Sequence, residues 1–299
     1  MLVMWPDSLV REIVEKRCII HLGSGMSCQS VDEHGNRPPS WEALLHTLKD
    51  STLSEAEDKN LVDEFISQKK YLDAAEVIRT KGSPAEYNAK IREIFIENNF
   101  IPSTAHKDLV NISPRIFSTT NYDTLVEGAL IENSGHNSFT QYEHTRDGLL
   151  DSVRSPSTIL IKMHGCAKHA ADTILSRSDY FNLRKKHRSF FELTSSLYKL
   201  NTVLFIGCGI EDPDINLILE NNNIETDTTN PSYAMVGSKS YAARIKDTIK
   251  SQYNIELIIY EQSNEGDHSK FEIKLNELKA LNSSPKCDTF HFKQLSTFL

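Results

Sequence analysis

Glycine and proline are scarce in this 299-residue chain, at 12 and 10, which excludes a long linker, a low-complexity tract and a collagen-like repeat. Its five cysteines (Cys18, Cys28, Cys166, Cys208, Cys287) are an odd number at wide spacing, and no Cys-x-x-Cys pair occurs. Neither a disulfide framework nor a zinc ribbon fits that pattern, so the expectation is a cytoplasmic protein with reduced thiols and no structural metal. No apolar run approaches the roughly 18 residues that a membrane span requires. The start, Met1 to Trp5 and then Pro6-Asp7, lacks the basic region and apolar stretch of a signal peptide. Excess positive charge is missing too. With 33 basic against 41 acidic side chains the formal charge is −8, which argues against a sequence-independent nucleic-acid binder.

What is present describes a globule with a substantial core, since apolar residues make 39% and charged ones 25% of the chain. Four short apolar runs have strand length: Cys18 to Leu22, Arg115 to Thr119, Ile159 to Met163 and Val203 to Ile206. Their near-continuous apolarity suits parallel strands covered on both faces. Two weaker strands are expected at Tyr233–Val236 and Ile255–Tyr260. Helical patterns between them predict a doubly wound α/β sheet flanked by helices. Residues 40–100 carry no convincing strand and read as a helical insertion between the first two. There Ser40 is the expected N-cap of a helix starting at Trp41, and Ser54 with Glu57 makes a capping-box pattern ahead of Leu61 and Phe65. Leu72, Ala75 and Ile78 mark a third helix and Tyr87, Ile91, Ile94 and Phe95 a fourth, while Phe271, Leu275 and Leu278 mark another near the end.

Chemistry-bearing residues gather where the strands end. The first strand runs into Gly23-Ser24-Gly25-Met26-Ser27, a turn whose backbone N–H groups suit a pyrophosphate. A tight connection would look the same, and Cys28 stands where the third glycine of a dinucleotide fingerprint belongs. The second strand ends in Thr119-Thr120-Asn121-Tyr122-Asp123, where Asn121 or Asp123 also reads as a helix N-cap before Leu125. The third ends in His164-Gly165. Any one of eleven histidines is an ordinary surface or core residue, but His164 stands directly after a buried strand. The fourth ends in Gly207-Cys208-Gly209-Ile210-Glu211-Asp212-Pro213-Asp214, which equally reads as a loop capping the next helix. Together the four tips suggest a dinucleotide cleft with a base, a carboxamide and carboxylates.

In these motifs the chain resembles the sirtuin-like superfamily, and within it the bacterial branch associated with antiphage defence. Gly23-Ser24-Gly25-Met26-Ser27 is similar to that family's G-A-G-x-S, Thr119 to Asp123 to its T-T-N-Y-D, and His164-Gly165 to its H-G pair. Pro39-Ser40-Trp41, Leu175 to Tyr180 and Phe205 to Asp214 also match, so the resemblance covers about residues 18–220. It implies a Rossmann-like NAD-binding domain over 1–39 and 101–299, with 40–100 as the insertion. It places Asn121 and His164 at the nicotinamide ribose as catalytic residues, and Gly23, Ser24 and Gly25 around the pyrophosphate. Ser27, Thr120, Asp123, Gly207 and Asp212 complete the expected NAD-binding set, with Asp123 at the ribose or nicotinamide pocket and no metal. Deacylating sirtuins carry two Cys-x-x-Cys pairs in a zinc module; their absence here counts against acyl-peptide substrates. The implied activity is hydrolysis of NAD+ to nicotinamide and ADP-ribose, as an antiphage effector. Such an oligomer would be gated by a companion protein (a nucleotide-processing enzyme, an argonaute or an ATPase), without direct nucleic-acid or membrane binding. The alternatives are an NAD-dependent deacylase or ADP-ribosyltransferase, and a nucleotide-sensing module without catalysis.

Overall fold

A strand whose side chains are apolar in both directions needs cover on both faces, and these strands have it. The computed structural model describes residues 5–208, 212–225, 230–264 and 268–282. Its strands are β1 (Cys18–Leu22), β2 (Ile116–Thr119), β3 (Phe139–Glu143), β4 (Thr158–Lys162), β5 (Thr202–Ile206), β6 (Ser232–Gly237) and β7 (Ile255–Tyr260). They form one seven-stranded sheet in the order β3-β4-β2-β1-β5-β6-β7, every neighbouring pair parallel. Ile20 stands opposite Phe117 on one side and Leu204 on the other. The expected parallel α/β sheet flanked by helices is therefore what forms.

The first helices are α1 (Asp7–Val14), α2 (Ser24–Ser27), α3 (Trp41–Thr52), α4 (Ala56–Ser67), α5 (Tyr71–Lys81) and α6 (Pro84–Arg92). After them come α7 (Thr104–Ile112), α8 (Leu125–Ser134), α9 (Leu149–Arg154), α10 (Arg177–Lys186) and α11 (Arg188–Leu200). The last are α12 (Pro213–Glu225), α13 (Tyr241–Arg244), α14 (Lys246–Tyr253) and α15 (Ser269–Asn282). Alternation along the strands divides the core in two. Ile20, Leu22, Phe117, Leu160 and Leu204 join the core under α1, α7, α8 and α15. Ile19, Ile159, Ile161, Val203 and Phe205 join the one under α10, α11, α12 and α14.

Helices α3 to α6, with a single wide turn at Glu93–Glu97, bury Leu45, Leu48, Val62, Ala75, Ile78 and Ile91 in a third core. Tyr122, Ala167 and Leu175, from segments after β2 and β4, join the same cluster, so these helices stand over the carboxyl edge of the sheet. Ser40 caps α3 as expected, accepting the Ala43 N–H at 3.3 Å. The expected capping box at Ser54 and Glu57 does not form: α4 starts at Ala56, with Glu55 at its cap position and no side-chain cap. The buried i, i+4 pair of α4 is Val62 and Ile66, while Leu61 is 38% exposed. Two apolar pairs one residue apart point about 100° apart around a helix, and the position of the neighbouring helices decides which turns inward.

An ion pair at the end of β4 is buried. Lys162, at the end of β4, is 0% exposed; its ammonium donates to Glu127 Oε1 of α8 at 2.9 Å and to the Asp123 carbonyl. Burial pulls the ammonium down, but the Glu127 carboxylate beside it outweighs that and holds Lys162 above the ordinary lysine range. Lys162→Met leaves a buried carboxylate without its counter-charge and should destabilise the fold by roughly 3–5 kcal/mol. The double variant Lys162→Met/Glu127→Leu should recover most of the loss in urea denaturation; equal losses in both would show that the pair is not the cause.

Candidate functional site

From β1 the chain crosses to β2 on one side, while β5 lies on β1's other side. Such a reversal leaves a crevice at the carboxyl ends of the two central strands. There the turn after β1 meets the turn after β5. The Gly23 N–H donates to the Ile206 carbonyl at 3.0 Å and the Gly25 N–H to the Gly207 carbonyl at 2.9 Å. A Cβ on Gly23 would lie 2.5 Å from the Gly207 oxygen, and one on Gly207, at φ +67°, 2.4 Å from the Met26 nitrogen. The glycines thus let two backbones touch. The amides of Gly23 and Gly25 are paired with the end of β5 and its turn in this arrangement; Gly23 lines the second of the clefts described next, and Gly25 lines neither.

Two adjoining clefts open at this edge, enclosing about 640 and 970 Å³ with their mouths included. Ser24, Trp41, Thr120 and Asp212 line both, so the space is continuous. Ser27, Asn121, Asp123 and His164 line the first, and Gly23 and Gly207 the second. Gly209, Ile210 and Glu211 lie outside the described residues.

Asn121 is held from several directions. Thr119 Oγ1 donates to the Leu22 carbonyl at 2.8 Å and accepts the Asn121 N–H at 3.0 Å, pinning the turn after β2 to β1. The Asn121 amide donates to the Gly23 carbonyl and to Ser27 Oγ, both at 2.8 Å. Those bonds use both amide hydrogens and leave Oδ1 as the group that can address a ligand. Ser27 in turn donates to Asp123 Oδ2 at 2.5 Å, while Asp123 Oδ1 accepts the Leu125 N–H at 3.1 Å and caps α8. Asp123 lines the cleft, yet both its oxygens serve the fold.

His164 follows β4 by two residues, and Gly165 at φ +79° turns the chain away behind it. The imidazole is 4% exposed and stands edge-on to Tyr180, with ring centres 5.1 Å apart. Its Nε2 has no hydrogen-bond partner and lies 3.4 Å from Asp212 Oδ2. That same oxygen accepts the Tyr180 hydroxyl at 2.7 Å, and Asp212 Oδ1 accepts the Ile215 N–H at 3.0 Å, capping α12. Asn121 and His164, remote in sequence, therefore line one cleft.

Sequence reasoning gives no role to Tyr180 or His21. Ser176 and Asp179 form a capping box at the start of α10. Around it Arg177 pairs with Asp73, Ser178 with Glu76 and Asp179 with Arg79, tying α5 to the helix that carries Tyr180. His21, on β1 beside the second cleft, bonds the Tyr198 hydroxyl through Nδ1 at 2.6 Å. Burial pushes it down to about 3, so it is neutral near neutral pH. Among the described residues no three His, Cys, Asp or Glu side chains are grouped to hold a metal ion, and no helix is long and apolar enough to cross a membrane. Cys18, Cys28, Cys166 and Cys208 are free thiols; Cys287 lies outside the described residues.

Residues 115–258 match the family model of the SIR2-like domain. The chain is 26% identical to the NAD(+) hydrolase ThsA of Bacillus cereus (strain MSX-D12) over 72% of its own length and 42% of that protein. To the NAD(+) hydrolase ThsA of Acinetobacter baumannii (strain 532279) it is 24% identical over 92% of its length and 53% of the relative. To defense-associated sirtuin 2 of Bacillus subtilis it is 21% identical over 70% of its length and 20% of the relative. The chain thus spans about half, or less, of the curated relatives it matches.

The contact of the two glycine turns has a measurable consequence. Gly35 also has positive φ, +83°, but a Cβ there meets nothing within 4 Å. Gly35→Ala should therefore cost only the conformational term, about 1–2 kcal/mol. Gly207→Ala adds a clash with backbone and should cost roughly 1–3 kcal/mol more. Equal denaturation midpoints for the two variants would show that close approach is not what the glycine provides.

Proposed function

We propose that the chain is a member of the sirtuin-like superfamily, as its SIR2-like match over residues 115–258 supports, and that it hydrolyses NAD+ to nicotinamide and ADP-ribose as the effector of an antiphage defence system. The observation that carries this reading is Asn121 and His164 facing one cleft at the switch point of a parallel sheet. Relatives named as NAD(+) hydrolases support it. NAD is the substrate, and no metal is invoked.

The bond to break joins the ribose C1′ to a pyridinium nitrogen that already carries positive charge. The electron pair leaves with nicotinamide, so no general acid is needed. Water adds to C1′, and one of its protons is lost. The site must hold the ribose, place the water and stabilise an oxocarbenium-like centre. Asn121 Oδ1 accepts a hydrogen bond from the water or a ribose hydroxyl, and His164 takes the proton. Ser24, Thr120 and Gly207 line the course of the dinucleotide, while Ser27 and Asp123 act through the placement of Asn121.

In the same reading residues 1–39 and 101–299 are the NAD-binding part and 40–100 the helical insertion, whose helices supply most of the third apolar cluster, a support for that division. An ungated NAD hydrolase would drain its own cytoplasm. Activity is therefore held down by oligomer packing or by a companion protein (a nucleotide-processing enzyme, an argonaute or an ATPase) acting on the insertion or on the segment beyond Ile224.

General-base assistance is typically worth about 10²- to 10⁴-fold, so His164→Ala should lower turnover at least a hundredfold, and Asn121→Ala comparably, in protein that remains folded at the assay temperature. NAD+ loss at the parental rate in both variants, assayed with the gating partner, would remove this mechanism. Strict dependence of nicotinamide release on an acylated peptide would replace hydrolysis by deacylation or ADP-ribosyl transfer.

Gating has its own measurement. NAD+ consumption by the purified chain should be slow alone and rise when the products of neighbouring genes are added. Rapid consumption by the chain alone would overturn the gate and leave the hydrolysis intact.

A further inference from the structure

His164 Nε2 is a buried polar atom without a hydrogen bond, and Asp212 Oδ2 faces it at 3.4 Å. An imidazole can serve as a base only through a nitrogen whose lone pair is free, and a partner on the other nitrogen decides which one that is. Asp212 is well placed to be that partner. It is fixed at the start of α12 by the Ile215 N–H on Oδ1 and by the Tyr180 hydroxyl on Oδ2. Tyr180 also closes one side of the imidazole with its ring. Among the described residues, two further imidazoles are coupled to His164: His21 on β1 and His144 just after β3. Burial holds them down at about 3 and about 4, so both are neutral near neutral pH.

We propose that Tyr180 and Asp212 are positioning residues that fix the proton of His164: Asp212 Oδ2 takes the Nε2 hydrogen, leaving Nδ1 as the nitrogen that accepts a proton in the reaction. This rests on the hydrolase reading for its use, but not for its existence. It moves Asp212 from NAD contact, its role in the sequence-based expectation, to a group acting through His164. The tyrosine restrains the carboxylate by sharing the oxygen that meets the histidine. Proton accounting is simple: the imidazole gains one from water or a ribose hydroxyl, becomes a cation beside the Asp212 carboxylate, and returns it to solvent after nicotinamide leaves.

The test is an NMR titration of the histidine Cε1–Hε1 signals in the full chain, with the His164 signal among eleven histidines identified by its loss in His164→Gln. Asp212→Asn keeps the helix cap, since Asn caps as well as Asp, but removes the charge. Its His164 midpoint should fall by about one pH unit, as expected for losing an opposite charge at this range. Tyr180→Phe keeps the ring and removes the hydroxyl that shares Oδ2 with the histidine, so the midpoint should rise, by roughly half a unit. With NAD+, Asp212→Asn should lose at least about tenfold in kcat with KM little changed. An unmoved His164 midpoint in Asp212→Asn, or shifts of the same sign in the two variants, would overturn the proposal. Opposite shifts in a protein that consumes no NAD+ under any condition would uphold the relay and remove the hydrolase reading instead.

Discussion

A lysine without access to water holds the two halves of the site in register. Lys162 ends β4 two residues before His164, and its ammonium grips the carbonyl of Asp123, two residues beyond Asn121. A buried ammonium is costly unless a carboxylate meets it and its hydrogen bonds are made. Glu127, one turn into α8, supplies that partner. The pair thus ties the turn after β2 to the end of β4. Carboxamide and imidazole, which the chain brings in on separate strands, are fixed against each other by one short polar link below the cleft floor.

The carboxylates at the strand tips show why structural and functional readings of a motif need not compete. Asp123 caps α8 and also anchors Ser27, which accepts from the Asn121 amide. Asp212 caps α12 and also faces His164. An acidic side chain at a helix start is stabilised by the unpaired N–H groups there, so it is held in place near the cleft. Capping is what makes such a group dependable in a site. The glycines divide their work differently: Gly23 and Gly207 permit contact between two backbones, and the polar addresses are left to side chains such as Ser24 and Thr120.

Much of this was legible in the sequence because central strands of a parallel sheet are apolar on both faces. β1, β2, β4 and β5 announce themselves in that way, and the residues at their ends then fall at one edge by topology alone. β3 did not, because an edge strand has one neighbour; Phe139, Thr140 and Gln141 are only half-buried, so no apolar run marks it. The inward face of α4 was missed because adjacent apolar pairs are indistinguishable until the neighbouring helices are placed. The pairing of Tyr180 with Asp212 was out of reach for another reason: it joins the starts of two helices, and nothing local in either segment encodes the other. The state of the Gly23 and Gly25 amides was hidden likewise, since their acceptors belong to β5 and its turn.

How the insertion is attached limits how a gate can act. The Arg177–Asp73 pair is largely solvated, with Arg177 59% exposed, and such pairs contribute about 0–1 kcal/mol. Arg79 and Asp179 are less exposed, and Arg79 also lies over the Tyr87 ring at 4.4 Å. Tyr87 bonds Thr173, while Tyr122 packs on Phe95 and donates to the Ile174 carbonyl. The firm attachment is therefore to the segment after β4 and to the turn after β2, the two pieces of chain that carry His164 and Asn121. A force that shifts α5 or α6 acts first on those pieces and on α10, whose Tyr180 lies against the imidazole. Control through the insertion would accordingly bear on the surroundings of His164 and Asn121 as well as on the width of the clefts, which Trp41, Leu44 and Tyr71 line.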